Sequence, residues 1–224
     1  MNVIEARDLK KDYSLGETTV NALKGVDIDV AEGEFMSIIG PSGSGKTTLL
    51  NIIGCIDSAT SGTVKIDNQE LTGLKDKQLT NLRLHKIGFI FQTFNLIPVL
   101  NIRENVEFPL LLMKKYSKID IKNRVDKLIE EVGLTEYIDH KPAELSGGQR
   151  QRVAIARALV TKPKIVFADE PTANLDSVTS ENILGLMREL NQVEKTTFIF
   201  STHDPDVLKY ATSVVKIKDG LIQN

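Results

Sequence analysis

The chain has 224 residues, 41% of them hydrophobic, enough for one large domain or for a core carrying an inserted subdomain. Its 28 Lys+Arg against 30 Asp+Glu leave a formal net charge of -2, so charge gives no support to a nucleic-acid partner, and none is expected. A single cysteine, Cys55, excludes an intramolecular disulfide; the N-terminus is no signal peptide, and no apolar run approaches the roughly 20 residues of a spanning helix.

In chain order, residues 3–9 and 26–30 read as strands, the second because Val26, Ile28 and Val30 alternate with Asp27 and Asp29. Residues 35–39 form a short apolar run that suits a buried strand, stopping at Gly40. Residues 46–53 read as a helix, with Cys55 expected on its apolar side as an inert buried thiol. Residues 63–66 are a strand turned by Asp67-Asn68, and residues 87–91 another. After Gln92 the helical period dominates to about residue 160: Ile121, Val125, Leu128, Ile129 and Val132 share one face, closed by Gly133. Strand texture returns at 165–168, 197–201 and 214–217, with a helix between the first two whose inner face is Ile183, Leu186, Met187 and Leu190. Asp219-Gly220 reads as a tight turn. The pattern predicts an α/β fold: a core with a mostly parallel sheet, made from residues 1–92 and 161–224, and an inserted helical subdomain over 93–160.

Three motifs carry chemistry. Gly40, Pro41, Ser42, Gly43, Ser44, Gly45, Lys46 and Thr47 fit GxxxxGK[ST] between a strand and a helix, the context of a phosphate-binding loop. Backbone N–H groups there can encircle a polyanion, Lys46 can reach the β- and γ-phosphates, and the Thr47 hydroxyl can ligate Mg²⁺. Asp169 and Glu170 end the 165–168 strand, on the rim where a parallel sheet holds its ligands. Asp169 can face the metal and Glu170 the attacking water. His203, in STHD, and Gln92 end other strands on that rim; each is either a plain polar residue or a contact to the γ-phosphate or Mg²⁺. The third motif, Leu145-Ser146-Gly147-Gly148-Gln149, opens a helix and offers a second anion site. One nucleotide cannot easily use both glycine loops of a single chain, so two chains packed head-to-tail are the economical arrangement.

With these motifs in this order, essentially all of residues 1–224 resemble the nucleotide-binding subunit of an ATP-binding-cassette (ABC) transporter. The resemblance implies a P-loop NTPase core with an antiparallel N-terminal β subdomain, binding ATP and Mg²⁺. It implies that Tyr13 stacks on adenine and that Thr48 belongs to the nucleotide site. Gln92 would link Mg²⁺ to the membrane partner, and Ser146, Gly147, Gly148 and Gln149 would close on the opposite ATP. Asp176 would lie beside the other chain's phosphate loop, with Glu170 as catalytic base and His203 as switch histidine. No position departs from the family pattern, so an active ATPase is expected. The stretches FQTFNLIP and NIRENVEFPLLL are similar to the branch serving lipoprotein release and macrolide export. There a permease subunit would dock near residues 92–98, in an apolar groove of Phe94, Leu96, Ile97 and Pro98, holding the protein on the cytoplasmic face of the inner membrane. The rivals are an uptake transporter's ATPase, a soluble ABC ATPase on DNA or ribosomes, a small-molecule kinase or GTPase, and a binding module without hydrolysis.

Overall fold

The structure, a computed structural model, describes residues 1–16, 18–203 and 205–223. The strands are β1 (Asn2–Leu15), β2 (Thr18–Ala31), β3 (Phe35–Ile39), β4 (Ser61–Ile66), β5 (Gln69–Glu70), β6 (Ile87–Ile90), β7 (Ile165–Asp169), β8 (Thr197–Thr202), β9 (Ser213–Lys218) and β10 (Leu221–Gln223). The helices are α1 (Lys46–Ile53), α2 (Asp76–Lys86), α3 (Ile102–Met113), α4 (Lys118–Glu131), α5 (Gly147–Leu159) and α6 (Ser177–Glu194). Two sheets form: an antiparallel one in the order β2-β1-β4-β5, and a six-stranded one in the order β10-β9-β3-β8-β7-β6, parallel except for β10.

Every residue of β8, and four of the five in each of β3 and β7, is buried. Such strands read as continuous apolar runs because helices or another sheet cover both faces. Their side chains sort with period two into the two halves of the core. Phe35, Val166, Ala168, Phe198 and Phe200 join α3 to α6 in one half; Met36, Ile38, Ile165, Phe167 and Ile199 join α1 and the antiparallel sheet in the other. The six-stranded sheet is thus sandwiched between the helical block and the N-terminal β layer.

Three elements differ from the expectation. The first hairpin runs well past residues 9 and 26, because its outer half is polar and carries no apolar alternation. Helix α2 lies before residue 93 and was not foreseen: its sequence DKQLTNLRLHK buries only Leu82, so it has no apolar stripe to read. Cys55 is not on α1 but beyond its end, at φ 62°. It is nonetheless buried, and burial pushes its thiol up to about 11.

The Asp67-Asn68 turn has φ of 50° and 62°, the left-handed pair of a tight hairpin turn. Its carboxylate accepts from Lys164 Nζ at 2.6 Å, just before β7, and from Lys86 Nζ at 2.7 Å, at the end of α2. The antiparallel layer is clamped there to the base of the parallel sheet. The Lys164 hydrogen bond first, then that of Lys86, hold the Asp67 carboxyl below its ordinary value against the opposing effect of burial. A depressed folded-state value means that this stabilisation is present above the unfolded carboxyl's range and is lost as pH falls through the folded value. Asp67→Asn should therefore lower the thermal midpoint at pH 7 by an amount worth about 1 kcal/mol or less. In melts across a pH series the gap to the parent should narrow below about pH 4.

Candidate nucleotide site

The loop between β3 and α1 turns inward on glycine. Gly45 has φ 106°, and a Cβ there would sit 2.7 Å from the Ala22 carbonyl, so only glycine fits. Lys46 Nζ donates to the carbonyls of Gly40 (2.8 Å) and Pro41 (3.1 Å), pinning the ammonium across the loop. The Ser44 hydroxyl is buried in that loop and has no hydrogen-bond partner among the described residues. An unsatisfied buried donor and an ammonium held across the loop suit a phosphate chain.

Parallel register sets the acidic rim beside this loop. Asp169 of β7 is level with Ser201 of β8, which is level with Ile38 of β3. The Asp169 carboxylate consequently accepts from the Ser201 hydroxyl at 2.5 Å and from the Thr47 hydroxyl at 3.1 Å. A hydroxyl and a carboxylate so close are hard oxygen donors that fit Mg²⁺. Glu170 follows at φ 44°, its N–H donating to the carbonyl (3.2 Å) and hydroxyl (3.1 Å) of Ser201. Its carboxylate oxygens lie 2.9 and 3.0 Å from His203 Nδ1. Against ionised Glu170 that nitrogen carries the proton, which leaves Nε2 of a neutral ring as an acceptor and of a charged ring as a donor.

A cleft of about 760 Å³ unites these groups. The loop contributes Ser42, Gly43, Gly45, Lys46, Thr47 and Thr48; the strand ends contribute Gln92, Asp169, Glu170 and His203. Val20, Asn21 and Ala22 of β2 also line it. Tyr13 does not, although its cross-strand partner Val20 does. The Tyr13 hydroxyl donates to Asp57 at 2.8 Å, and burial, with Asp57 adding to it, pushes its phenol above the ordinary value.

The second glycine element is elsewhere. None of Ser146, Gly147, Gly148, Gln149 or Asp176 lines the cleft. Ser146 caps α5, its hydroxyl accepting from the Gln149 N–H (3.2 Å) while the Gln149 side chain accepts from the Ser146 N–H (2.8 Å). A Cβ on Gly148 would come within 2.6 Å of the Thr179 methyl, so glycine lets α5 press against the start of α6. Asp176 caps α6, accepting from the Thr179 hydroxyl (2.6 Å) and N–H (3.0 Å), and these bonds hold its carboxyl below the ordinary value.

Three contributors escaped the sequence reading: Ser201 was visible only as the end of the 197–201 strand, and Asp57 and Arg157 act over long sequence separations. Asn174, which the resemblance puts with Leu175 and Asp176 at the dimer seam, also acts within its own chain. The Asn174 amide donates to the Gln92 carbonyl at 2.9 Å. Arg157, on α5, donates to the carbonyls of Asn95 (2.5 Å) and Phe94 (2.7 Å), two residues held at φ 48° and 62°. Arg150, one and a half to two turns earlier, lies 5.2 Å from the Phe94 ring centre. The loop after Gln92 is thus bolted to the helix that Ser146 caps. An apolar groove of about 380 Å³ opens beside it, lined by Leu84, Ile87, Phe89, Phe91 and Pro109 among others. Of residues 92–98 only Asn95 lines this groove. The expected walls are turned elsewhere: Leu96 packs into the helical core, Asn105 holds the backbone of Ile97, Phe94 faces Arg150, and Pro98 is exposed.

Comparison with known proteins gives this arrangement a family. The profile of the family described as ABC transporter matches residues 23–173. The chain belongs to the ABC transporter family. It is an ATP-hydrolysing cassette. It is 47% identical over 224 residues to the macrolide export ATP-binding/permease protein MacB of Syntrophobacter fumaroxidans, covering 100% of this chain but 31% of that protein. It is 46% identical over 225 residues to MJ0796 of Methanocaldococcus jannaschii, an uncharacterized ABC transporter ATP-binding protein, covering 99% of this chain and 95% of the other. The dimeric structure of MJ0796 in a post-hydrolysis state with ADP and Pi superposes with a TM-score of 0.91 at 45% identity, covering 99% of this chain and 97% of that one. The ABC fold expectation, a mostly parallel core beside an antiparallel β layer, agrees with what is seen.

In this cassette, burial lowers the Arg157 guanidinium from its ordinary value, yet an arginine stays charged at neutral pH. Arg157→Met should leave two carbonyls without their donor and cost about 1.5–3 kcal/mol in denaturant melts. Arg157→Lys, which keeps the charge but loses the fork, should recover part of it. Limited proteolysis should find residues 92–98 cut first in the methionine variant.

Proposed function

We propose that this cassette is the motor subunit of a membrane export machine, in which two copies close head-to-tail on ATP and a permease follows the movement. One observation carries the reading: every catalytic group shares the cleft, whereas the capped glycine helix start of the same chain stands outside it. That helix end, where the Gly147 and Gly148 amides have no acceptor within the helix, can serve an anion held by another copy.

In this reading Tyr13 stacks on adenine once the base enters along β2, and backbone amides of the loop from Ser42 to Thr48 hold the phosphates, with Lys46 on the β- and γ-groups. Thr47, Asp169 and Gln92 would hold Mg²⁺, which when bound neutralises charge on the phosphate oxygens. Ser146, Gly147, Gly148 and Gln149 of one copy meet the γ-phosphate bound to the other, and Asp176 approaches that copy's phosphate loop. Glu170 orients a water and takes its proton as the water oxygen bonds to the γ-phosphorus and the bond to ADP breaks. His203 holds the Glu170 carboxylate in place and reads the γ-phosphate with its free nitrogen. Once phosphate is cut the bridge between copies is lost, and they part.

Helix α5 and the loop after Gln92 move together through Arg157, so closure is transmitted to the groove between Leu84 and Pro109. A short apolar helix of the permease suits that groove. The cassette would sit at the cytoplasmic face of the membrane through that contact; among the described residues no helix is long and apolar enough to cross it. Likeness to MacB, named for macrolide export, supports export; the cargo in this reading is an amphiphilic compound or a lipoprotein.

Glu170→Gln should cut ATP turnover at least about a hundredfold while leaving nucleotide binding intact. With ATP it should run as a dimer by gel filtration, and Ser146→Arg added to it should return the monomer. Full turnover in the glutamine variant, or a monomer with ATP, would sink the scheme.

A further inference from the structure

The turn between α3 and α4 has no part in the site described above. Phe108, Leu111 and Leu112 lie at i, i+3 and i+4 on α3, one face, and all three are exposed, Leu111 to 49% and Leu112 to 53%. Ile119, in the first turn of α4, is 72% exposed. Between them run Lys114, Lys115, Tyr116, Ser117 and Lys118, so residues 111–119 hold three lysines and no carboxylate in a chain whose net charge is -2. Of the nearby acids, Glu107 is half-buried one turn before Leu111, and the two on α4 are engaged. Asp120 is bound to the Ser117 hydroxyl at 2.7 Å, and Asp126 to Arg103 and Lys122, each at 2.6 Å. Among the described residues Lys114, Lys115 and Lys118 form no salt bridge. Tyr116 is half-buried beneath the Arg124 guanidinium, 4.2 Å away, which anchors the turn.

We infer that this turn is a contact for an anionic lipid surface: the lysines lie among the headgroups and Leu111, Leu112 and Ile119 dip into the interfacial layer. Lysine clusters are attracted to anionic leaflets, and flanking aliphatic side chains add burial at the acyl boundary. A protein partner is the weaker fit, because lysine is depleted from the cores of protein interfaces, where Arg and aromatic residues are enriched. The contact acts as a second tether that orients the cassette beside its permease. It rests on the reading that the cassette works at a membrane, but not on hydrolysis or dimer closure.

The full-length chain, without a permease, can be sedimented with vesicles of phosphatidylglycerol and phosphatidylcholine, or of phosphatidylcholine alone. Binding is expected to the anionic vesicles only and should weaken as salt is raised. The triple variant Lys114→Glu, Lys115→Glu, Lys118→Glu should bind about tenfold or more weakly. Leu111→Ser, Leu112→Ser, Ile119→Ser should weaken binding at low salt while keeping the salt dependence. Basal ATP turnover and thermal midpoint should stay at the parent's level in both, which excludes misfolding. A parent that ignores anionic vesicles, or variants that bind as it does, overturns the inference. So does a parent that ignores lipid while the variants lose stimulation by a membrane protein partner, which would make the turn a protein contact. Vesicle binding that survives alongside an active Glu170→Gln variant would sink the motor scheme and leave the lipid contact standing.

Discussion

The Asp169 carboxylate is where the separate parts of this molecule meet. It takes hydrogen bonds from Thr47, at the start of the helix that follows the phosphate loop, and from Ser201, at the end of a neighbouring strand. Those bonds exist only because β3, β8 and β7 run parallel and in a register that levels Ile38, Ser201 and Asp169. A shift by one residue would turn Asp169 to the opposite face of the sheet. The Thr47 and Ser201 hydroxyls would then lose their shared acceptor, and Glu170 would lose the Ser201 oxygens that hold its amide. The buried phenylalanines that alternate across these strands therefore do more than stabilise. By fixing register, Phe35, Phe198 and Phe200 hold the chemistry in place.

The helical block serves a different purpose. It brings a second helix start, capped by Ser146, to the surface, and joins it to the loop that leaves β6. Both connections consume polar groups with few alternatives. Arg157 satisfies two carbonyls of residues in left-handed conformations, and Asn174 satisfies the carbonyl of Gln92. The loop after Gln92 is consequently held from two sides, by the helix of the second glycine element and by the segment leading into α6. The second glycine element and the segment leading into α6 are thus both tied to one short stretch beside the apolar groove.

Much of this was legible in the chain. Glycine spacing, a buried strand on one side and a helix on the other located the phosphate loop, and α1 starts and ends where periodicity places it. Strand β3 likewise matches its apolar run. What escaped has a common physical cause. Helix α2 is polar on all sides, so its hydrophobic pattern is silent. Ser201, Asp57 and Arg157 gain their roles from neighbours tens of residues away, and no local pattern encodes a partner at that distance. The apolar groove beside this loop takes only Asn95 from residues 92–98: Leu96 packs into the helical core, and Asn105 binds the Ile97 backbone. Tyr13 lies on the expected strand, but its hydroxyl is engaged by Asp57 and its ring is not on the cleft wall.

Helix α5 has a mechanical corollary. Ten residues separate Gly147 at its start from Arg157, which places the two ends of that span about 15 Å apart along an unbroken rod. A tilt of about 10° at one end would sweep the other through about 2–3 Å, more than the tolerance of a hydrogen bond. The helix is thus a lever arm, and a small docking adjustment at one surface arrives enlarged at another.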